Sequence, residues 1–524
     1  MIRIREIALP PEHSVAQLAY EAARALKIQN SKVRRVKLVR RSVDARKKPD
    51  IKIVYTIDVA VDGNENKILK QSGCKRASIA PVSYYKVPKN ISSDIRPVVI
   101  GFGPAGMFAA LVLALAGLKP LVLERGEDAA TRHAKVEHFF ATGQLDTKSN
   151  VQFGEGGAGT FSDGKLNTGV NNPRIGWVLE QMVAAGAGED ILFDAKPHVG
   201  TDVLLTVVQN IRQRILSLGG EVHFNSQVTD LITQDGRITG LQINGEENIS
   251  CDRVILAIGH SARDTFERLH AMGLPMEAKP FAMGVRIEHL QENIDKAQYG
   301  RHDPVLPPAD YKLVKHLPDE TVYTFCMCPG GYVVAAASEA GRVVTNGMSY
   351  ADRGGRNANA ALLVTLNPKD FPGEGPLSGM YWQRTIEEAA FRAGGGNYFA
   401  PAQTVGDFLT GRPSTGCGTV QPTYRPGVTW CDLHTVLPPK ITTALKAALP
   451  QLEGSLKGYA DPDAVLTAPE TRSSSPVRII RDDTKQSTGL AGLYPAGEGA
   501  GYAGGIMSAA IDGMMCAEAL IESL

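Results

Sequence analysis

The segment Val98-Val99-Ile100-Gly101-Phe102-Gly103-Pro104-Ala105-Gly106 constrains this chain more than any other. An apolar run leads into G-x-G-x-x-G, which opens a helix-like stretch, Met107 to Leu118. A second apolar run, Pro120 to Leu123, ends in Glu124-Arg125-Gly126. The order strand, glycine turn, helix, strand, acid is the one a dinucleotide requires. Glycines let the backbone approach a pyrophosphate, and the helix N-terminus offers N–H groups and a positive dipole end. Glu124 follows Gly101 by 23 positions, near the spacing expected of the acid that takes a ribose hydroxyl. Gly101, Gly103, Pro104, Ala105, Gly106, Glu124 and Arg125 are therefore expected to bind the cofactor.

A length of 524 residues points to about three domains. The N-terminus, Met1-Ile2-Arg3-Ile4-Arg5-Glu6, has no apolar signal-like core, and Met107–Leu118 is short of the ~20 residues that span a bilayer. A cytoplasmic protein without membrane contact is expected. The seven cysteines are scattered, unlike a secreted disulfide framework. Cys326 and Cys328 form the one close pair, and on a regular strand both thiols would share a face. Ordinary reduced thiols are expected, and no metal site.

The net charge of +1 conceals an asymmetry: residues 1–96 hold 21 Lys and Arg against 9 Asp and Glu, and the remainder holds 35 against 46. A basic head on an acidic body can bind a polyanion or dock on its own body. Docking is the reading favoured, since no aromatic residues interleave with the charge.

Residues 1–90 read as a small basic α+β domain. Ile2–Leu9 alternates as a strand, Ser14-x-x-Gln17 opens a helix to about Leu26, and Val33–Val43 and Ile51–Val61 read as strands. Lys86 to Ser93 reads as a linker. Residues 96–272 form the first part of a Rossmann-like dinucleotide domain, 273–476 an inserted mixed α+β substrate or cap domain, and 477–524 the closing strand and helix. The fold class is thus α/β, with an interrupted nucleotide-binding domain. Between Asn150 and Gly169 lies a glycine-rich loop, from which Gly157, Ala158 and Thr160 are expected to touch the cofactor. Val228 and Gly259 are added from later strand ends.

The C-terminus distinguishes the cofactor. An NAD domain is usually contiguous, whereas here a second strand and glycine turn, Gly492 to Glu498, arrives some 370 residues after the first βαβ unit at 96–126. A larger cofactor would draw on both. Gly497 and Glu498 are placed near its ribitol. Gly505 and Ile506, opening the last helix, are placed at the pyrimidine edge of a flavin, where a positive dipole end stabilises negative charge. Glu124-Arg125-Gly126, Val254-Ile255-Leu256-Ala257-Ile258-Gly259 and Gly492–Glu498 resemble the FAD-binding motifs of the glutathione-reductase-like superfamily, with Ile258 in place of the usual Thr. Phe153–Leu166, Cys326–Gly331, Val344–Ser349, Ser475–Arg478 and Gly497–Gly505 make the chain similar to a bacterial family of FAD-dependent dehydrogenases of unassigned substrate. That resemblance implies an enzyme binding FAD and transferring a hydride between flavin and either NAD(P)H or a small substrate. No second G-x-G-x-x-G domain is visible, so a nicotinamide would bind only transiently.

Catalytic candidates are Lys165 in the glycine loop, His260 after the Gly259 turn, and Arg472 and Arg478 ahead of the closing motif. Arg353 and Arg356 add a second arginine pair, and together these suggest an anionic substrate such as a carboxylate. Arg286 and Glu288 share a strand face and are expected to pair. Two alternatives stand beside the dehydrogenase: a flavin monooxygenase, disfavoured because Gly259-His260-Ser261 lacks that class's G-D motif, and a flavoprotein that binds or modifies RNA through residues 1–90.

Overall fold

Val98–Ile100 is wholly buried, as a strand must be when helices cover both faces of a parallel sheet. The computed structural model, which describes residues 1–524 apart from 82, 83, 90, 92, 170 and 302, sets it at the centre of five parallel strands. In spatial order they are Leu493–Pro495, Val254–Leu256, Val98–Ile100, Leu121–Leu123 and Glu221–His223. The crossover helix Pro104–Ala116 and the terminal helix Ile506–Glu522 lie together in one apolar core with Val99, Val122 and Ile255. Small residues allow their close approach: a Cβ on Gly513 would come within 2.0 Å of the Ala105 carbonyl oxygen. The chain thus builds one sheet from both its early and its last segments. A three-stranded antiparallel meander, Val228–Gln234, Arg237–Ile243 and Glu247–Ser250, stands beside it.

Between residues 281 and 470 the chain forms a second, seven-stranded sheet. Its central strands, Phe281–Leu290, Asn357–Leu366 and Val465–Glu470, are antiparallel and almost entirely buried. Helix Pro439–Glu453 contributes Leu445, Leu449 and Leu452 to the core that these strands line. The chain crosses from the parallel sheet to the large sheet and back along one seam, where Met276–Ala278 pairs antiparallel with Val477–Ile479.

The N-terminal segment runs strand Ile2–Leu9, helix Ala16–Leu26, strands Val33–Asp44 and Lys52–Val61, helix Glu65–Ser72 and strand Ala77–Ile79. The sheet order places Val33–Asp44 at one edge, then Lys52–Val61, Ile2–Leu9 and Ala77–Ile79. This is the split βαβ arrangement. The Gln17 side chain accepts from the Ser14 backbone N–H, half of the expected capping box. The second helix escaped the sequence reading because Glu65–Ser72 is short and mostly polar. The expected linker contains Asn90 and Ser92, which lie outside the described residues. Among the described residues, no helix is long and apolar enough to cross a membrane.

Candidate functional site

The C-terminal ends of the parallel strands open onto a cleft that runs to the large sheet, with an empty space of about 1550 Å³ counted out to its mouth. Ligands of open α/β sheets bind at this edge. Its near end is built from backbone. Gly101 (φ 93°) and Gly106 are required by the protein itself: a Cβ would fall 2.4 Å from the Ala257 carbonyl oxygen at the first and 2.0 Å from the Gly101 carbonyl oxygen at the second. Gly103 differs. Its φ of −76° suits any residue, and a Cβ there would meet nothing closer than Gly157 Cα at 3.7 Å. A side chain at Gly103 would occupy the space ahead of the Pro104–Ala116 helix N-terminus, where a pyrophosphate fits. Gly157 (φ 61°) faces it from the glycine-rich loop.

Glu124 is buried, and its carboxylate accepts from the backbone N–H groups of Phe102 (2.8 Å), Gly126 (2.9 Å) and Gly154 (2.9 Å). It therefore clamps the glycine turn to the glycine-rich loop. A carboxylate has about four lone-pair positions, which leaves one for a ribose hydroxyl. Arg125 stacks its guanidinium 4.4 Å from the Phe153 ring centroid and pairs with Asp264 at 2.7 Å, both at the cleft rim. Arg132, unforeseen in the sequence, shapes the same loop. It is fully buried and donates to the carbonyls of Asn150, Val151, Glu155 and Gly157 at 2.7–3.0 Å. No pattern of neighbours marks it, since its partners are main-chain oxygens some twenty residues away.

Of the expected cofactor residues, Gly101, Gly103, Pro104, Ala105, Glu124 and Arg125 line the cleft, joined by Gly157, Ala158 and Val228. Gly259, Glu498, Gly505 and Ile506 close it from the later segments. Three expected contacts do not line it. Gly106 packs against Gly101, the Thr160 hydroxyl donates to the Glu155 carbonyl, and the Gly497 N–H donates to Asp512 at 2.7 Å. Glu498 is half-buried, and burial pushes its carboxyl up to about 7 against the Gly505 N–H and Lys279.

The far end of the cleft is built from side chains. Lys165 lines it, donates to the Met327 carbonyl and stands 4.0 Å from Asp163. His260 lines it too; burial pushes its pKa down to about 3, with Arg472 and Arg263 adding to the effect, so the ring is neutral at physiological pH. Its Nδ1 is buried without a hydrogen bond. Arg472 reaches the cleft but its guanidinium is already committed. It donates to Ser261 and Ser338 and pairs with Glu387 at 3.0 Å, and Arg263 holds the other side of Glu387 at 2.7 Å. Burial alone would raise the Glu387 carboxyl, but the two arginines hold it far below the usual range.

Several sequence expectations are corrected here. Arg478 does not reach the cleft: it pairs with Glu277 at 2.8 Å on the seam between the sheets. Arg353 is held by Asp163 at 2.7 Å, and Arg356 is exposed, away from the cleft. Arg286 pairs not with Glu288 but with Glu470 (2.8 and 3.1 Å), while Glu288 accepts from Thr423 and Asn357. Cys326 and Cys328 do not share a face, because the strand bulges between Phe325 and Cys328 and Cys326 adopts φ 40°. Cys326 lines the cleft, and Cys328 is buried, its thiol pushed up to about 12 by burial. Asn346, Phe325 and Glu470, from strands the sequence could not bring together, and Ser473, just beyond one of them, also line this end.

Residues 280–473, the large sheet, match a family described as the C-terminal domain of FAD-dependent proteins, and residues 1–60 match a domain of unknown function. A protein of Clostridium beijerinckii described as uncharacterized is 48% identical, covering 99% of this chain and 98% of its own. Solved structures with loose likeness include glycine oxidase from Bacillus cereus (12% identity, 82% of this chain and 95% of that one, TM-score 0.35). The flavin-dependent brominase Bmp2 overlaps similarly (13% identity, 82% and 79%, TM-score 0.37). Overlap at that level is too loose to carry a reaction from either to this chain. The near-full-length match at 48% identity does carry kinship: the chain belongs to one family with the Clostridium beijerinckii protein, and its large sheet matches the C-terminal domain model of FAD-dependent proteins.

Proposed function

We propose that the chain is an FAD-dependent oxidoreductase that passes a hydride between flavin and a small organic substrate held against the large sheet. One observation carries the reading: the Gly101–Ala105 turn and the Gly505–Ile506 helix start, 400 residues apart, line a single cleft. Bound FAD would supply the redox chemistry, and the chain's residues bind, orient and tune. The Pro104 helix N-terminus and the amides around Gly103 hold the pyrophosphate, and Glu124 takes a ribose hydroxyl. The helix beginning at Ile506 offers its positive end to the ring.

At the far end, Lys165 is the ammonium group facing the cleft, while Arg472 and Arg353 are committed to carboxylates. An anionic substrate group is therefore assigned to Lys165 rather than to an arginine clamp. His260 stays neutral and orients by hydrogen bonding. Glu498, with a carboxyl near pH 7, is the group suited to exchange a proton at neutral pH. NAD(P)H remains a candidate donor that binds transiently.

The test is the visible spectrum of the purified protein, followed by anaerobic addition of NADH or NADPH. A flavin band that bleaches identifies a nicotinamide donor. A band that persists directs the search to carboxylate donors. A colourless protein that FAD cannot reconstitute overturns the reading.

A further inference from the structure

The N-terminal sheet has two unlike faces. Ile2, Ile4, Ile57 and Val59 are fully buried in the core cluster that also holds Leu18, Ala22 and Leu26 of the first helix. Residues directly opposite one another in an antiparallel pair share a face. On the other face, the edge strand sets Arg35 opposite Ala60, Lys37 opposite Asp58 and Arg40 opposite Thr56. Strand Ile2–Leu9, beyond Lys52–Val61, sets Arg3 opposite Asp58 and Ser78, and Arg5 donates to Ser78 at 3.2 Å. The open face thus gathers five cations around Asp58; Asp44, opposite Lys52 at the end of the edge strand, shares the face and is held by Arg46, and the exposed Glu6 lies in the bulge beside Arg5. Arg3 neutralises Asp58 with two hydrogen bonds of 2.8 and 2.9 Å. Arg5, Arg35, Lys37 and Arg40 are exposed, and none of the four forms an ion pair among the described residues.

Docking on the acidic body does not account for this charge. The cation that docks is Arg41, which lies opposite Tyr55 on the buried face and pairs with Asp194 at 2.6 Å. Its neighbour Arg40 points the other way. Lys48 also reaches the body, donating to the Ala297 carbonyl, from the loop beyond the strand.

We propose that this open face binds the phosphate backbone of single-stranded RNA, independently of base sequence. Four unpaired cations spread over two strands match a run of phosphates in charge. The face carries no aromatic side chain on which bases could stack, so contact is made to the phosphates and not to the bases. Nor does it carry a large exposed apolar residue of the kind that inserts into a lipid surface or anchors a protein interface: Val15 and Tyr20 lie on or beside the helix at the opposite face, and Tyr84 follows the last strand of the sheet. The inference is independent of the redox reading.

The test uses the full-length protein and a fluorescein-labelled poly(U) RNA of about 20 nucleotides, with anisotropy measured across salt concentrations. With four cations engaged, log Kd should vary with log salt with a slope of about 3 in magnitude, and Arg35→Glu/Lys37→Glu/Arg40→Glu should reduce it to about 1 and weaken binding at low salt by at least ~10-fold. Arg35→Gln/Lys37→Gln/Arg40→Gln should act in the same direction, and serves if the reversal variant misfolds as judged by circular dichroism. Lys67→Glu/Lys70→Glu, on the second helix, should leave binding unchanged. No RNA binding at low salt overturns the proposal. So does equal weakening by the helix variant, or binding to phosphatidylserine vesicles without binding to RNA.

Discussion

The two ends of the cleft are made of different material. The near end is main chain: glycines, a helix N-terminus and backbone N–H groups gathered by Glu124. The far end is side chain: a buried Arg263–Glu387–Arg472 triad and an Arg286–Glu470 pair. Main chain can be held in position by sequence-local geometry, and at Gly103 it leaves open space ahead of the helix N-terminus. A buried ionic network depends on every partner, since removing one charge leaves the others desolvated and unpaired. The contrast predicts that damage at the far end appears as instability, and damage at Gly103 of the near end as loss of cofactor from an otherwise intact fold.

The largest expected effect lies at the far end. Glu387→Gln should destabilise the protein by about 3–5 kcal/mol, because Arg263 and Arg472 lose their shared counter-charge. Thermal unfolding of the apoprotein reads this directly, and an unchanged Tm would erase the distinction between the two ends. Next comes a pH effect in the large sheet. Glu288 is fully buried, and burial pushes its carboxyl up to about 7 despite Thr423 and Asn357. A carboxyl raised above its unfolded value stabilises fully below pH ~4.5, and that contribution is lost as pH rises through ~7, a loss of roughly 3 kcal/mol. Wild-type stability should fall between about pH 5 and pH 8, and Glu288→Gln should flatten the fall. An equal slope in both proteins assigns the loss to another group.

At the near end, Gly103→Leu should weaken FAD binding ~100-fold, about 2.7 kcal/mol, while the apoprotein Tm stays within about 0.5 kcal/mol of wild type. Normal flavin retention by this variant would move the pyrophosphate away from the turn. The smallest effect is at the rim. Arg125→Ala removes a cation–π contact and a half-exposed ion pair, together worth about 1 kcal/mol in stability. A loss several-fold larger in chemical denaturation would mean that side chains matter at the near end as much as at the far one.

The same division governs what the sequence makes legible. Gly101 to Glu124 lies within one βαβ unit, so its spacing translates directly into position. The start of the last helix was equally plain, because Gly504-Gly505 precedes a long apolar run. The far end was not. Glu470 meets Arg286 across 184 positions, and Glu387 meets Arg472 from a helix whose buried face is set only by the sheet it packs on. Local alternation suggested Arg286 with Glu288, and a regular strand suggested two thiols on one face; long-range pairing and a bulge decided both differently. The basic head was visible as a charge count, but the sorting of Arg40 and Arg41 to opposite faces required the register.

The central sheet draws on strands from both ends of the chain, and this sets a timetable for biogenesis. The Gly101–Gly106 turn leaves the ribosome 400 residues before the helix that completes the cleft. At synthesis rates of about 5–20 residues per second, the first half of the site waits roughly 20–80 s for the second. Nascent chains therefore cannot be loaded fully with cofactor, and any product cut short before the last helix is a protein without a finished cleft.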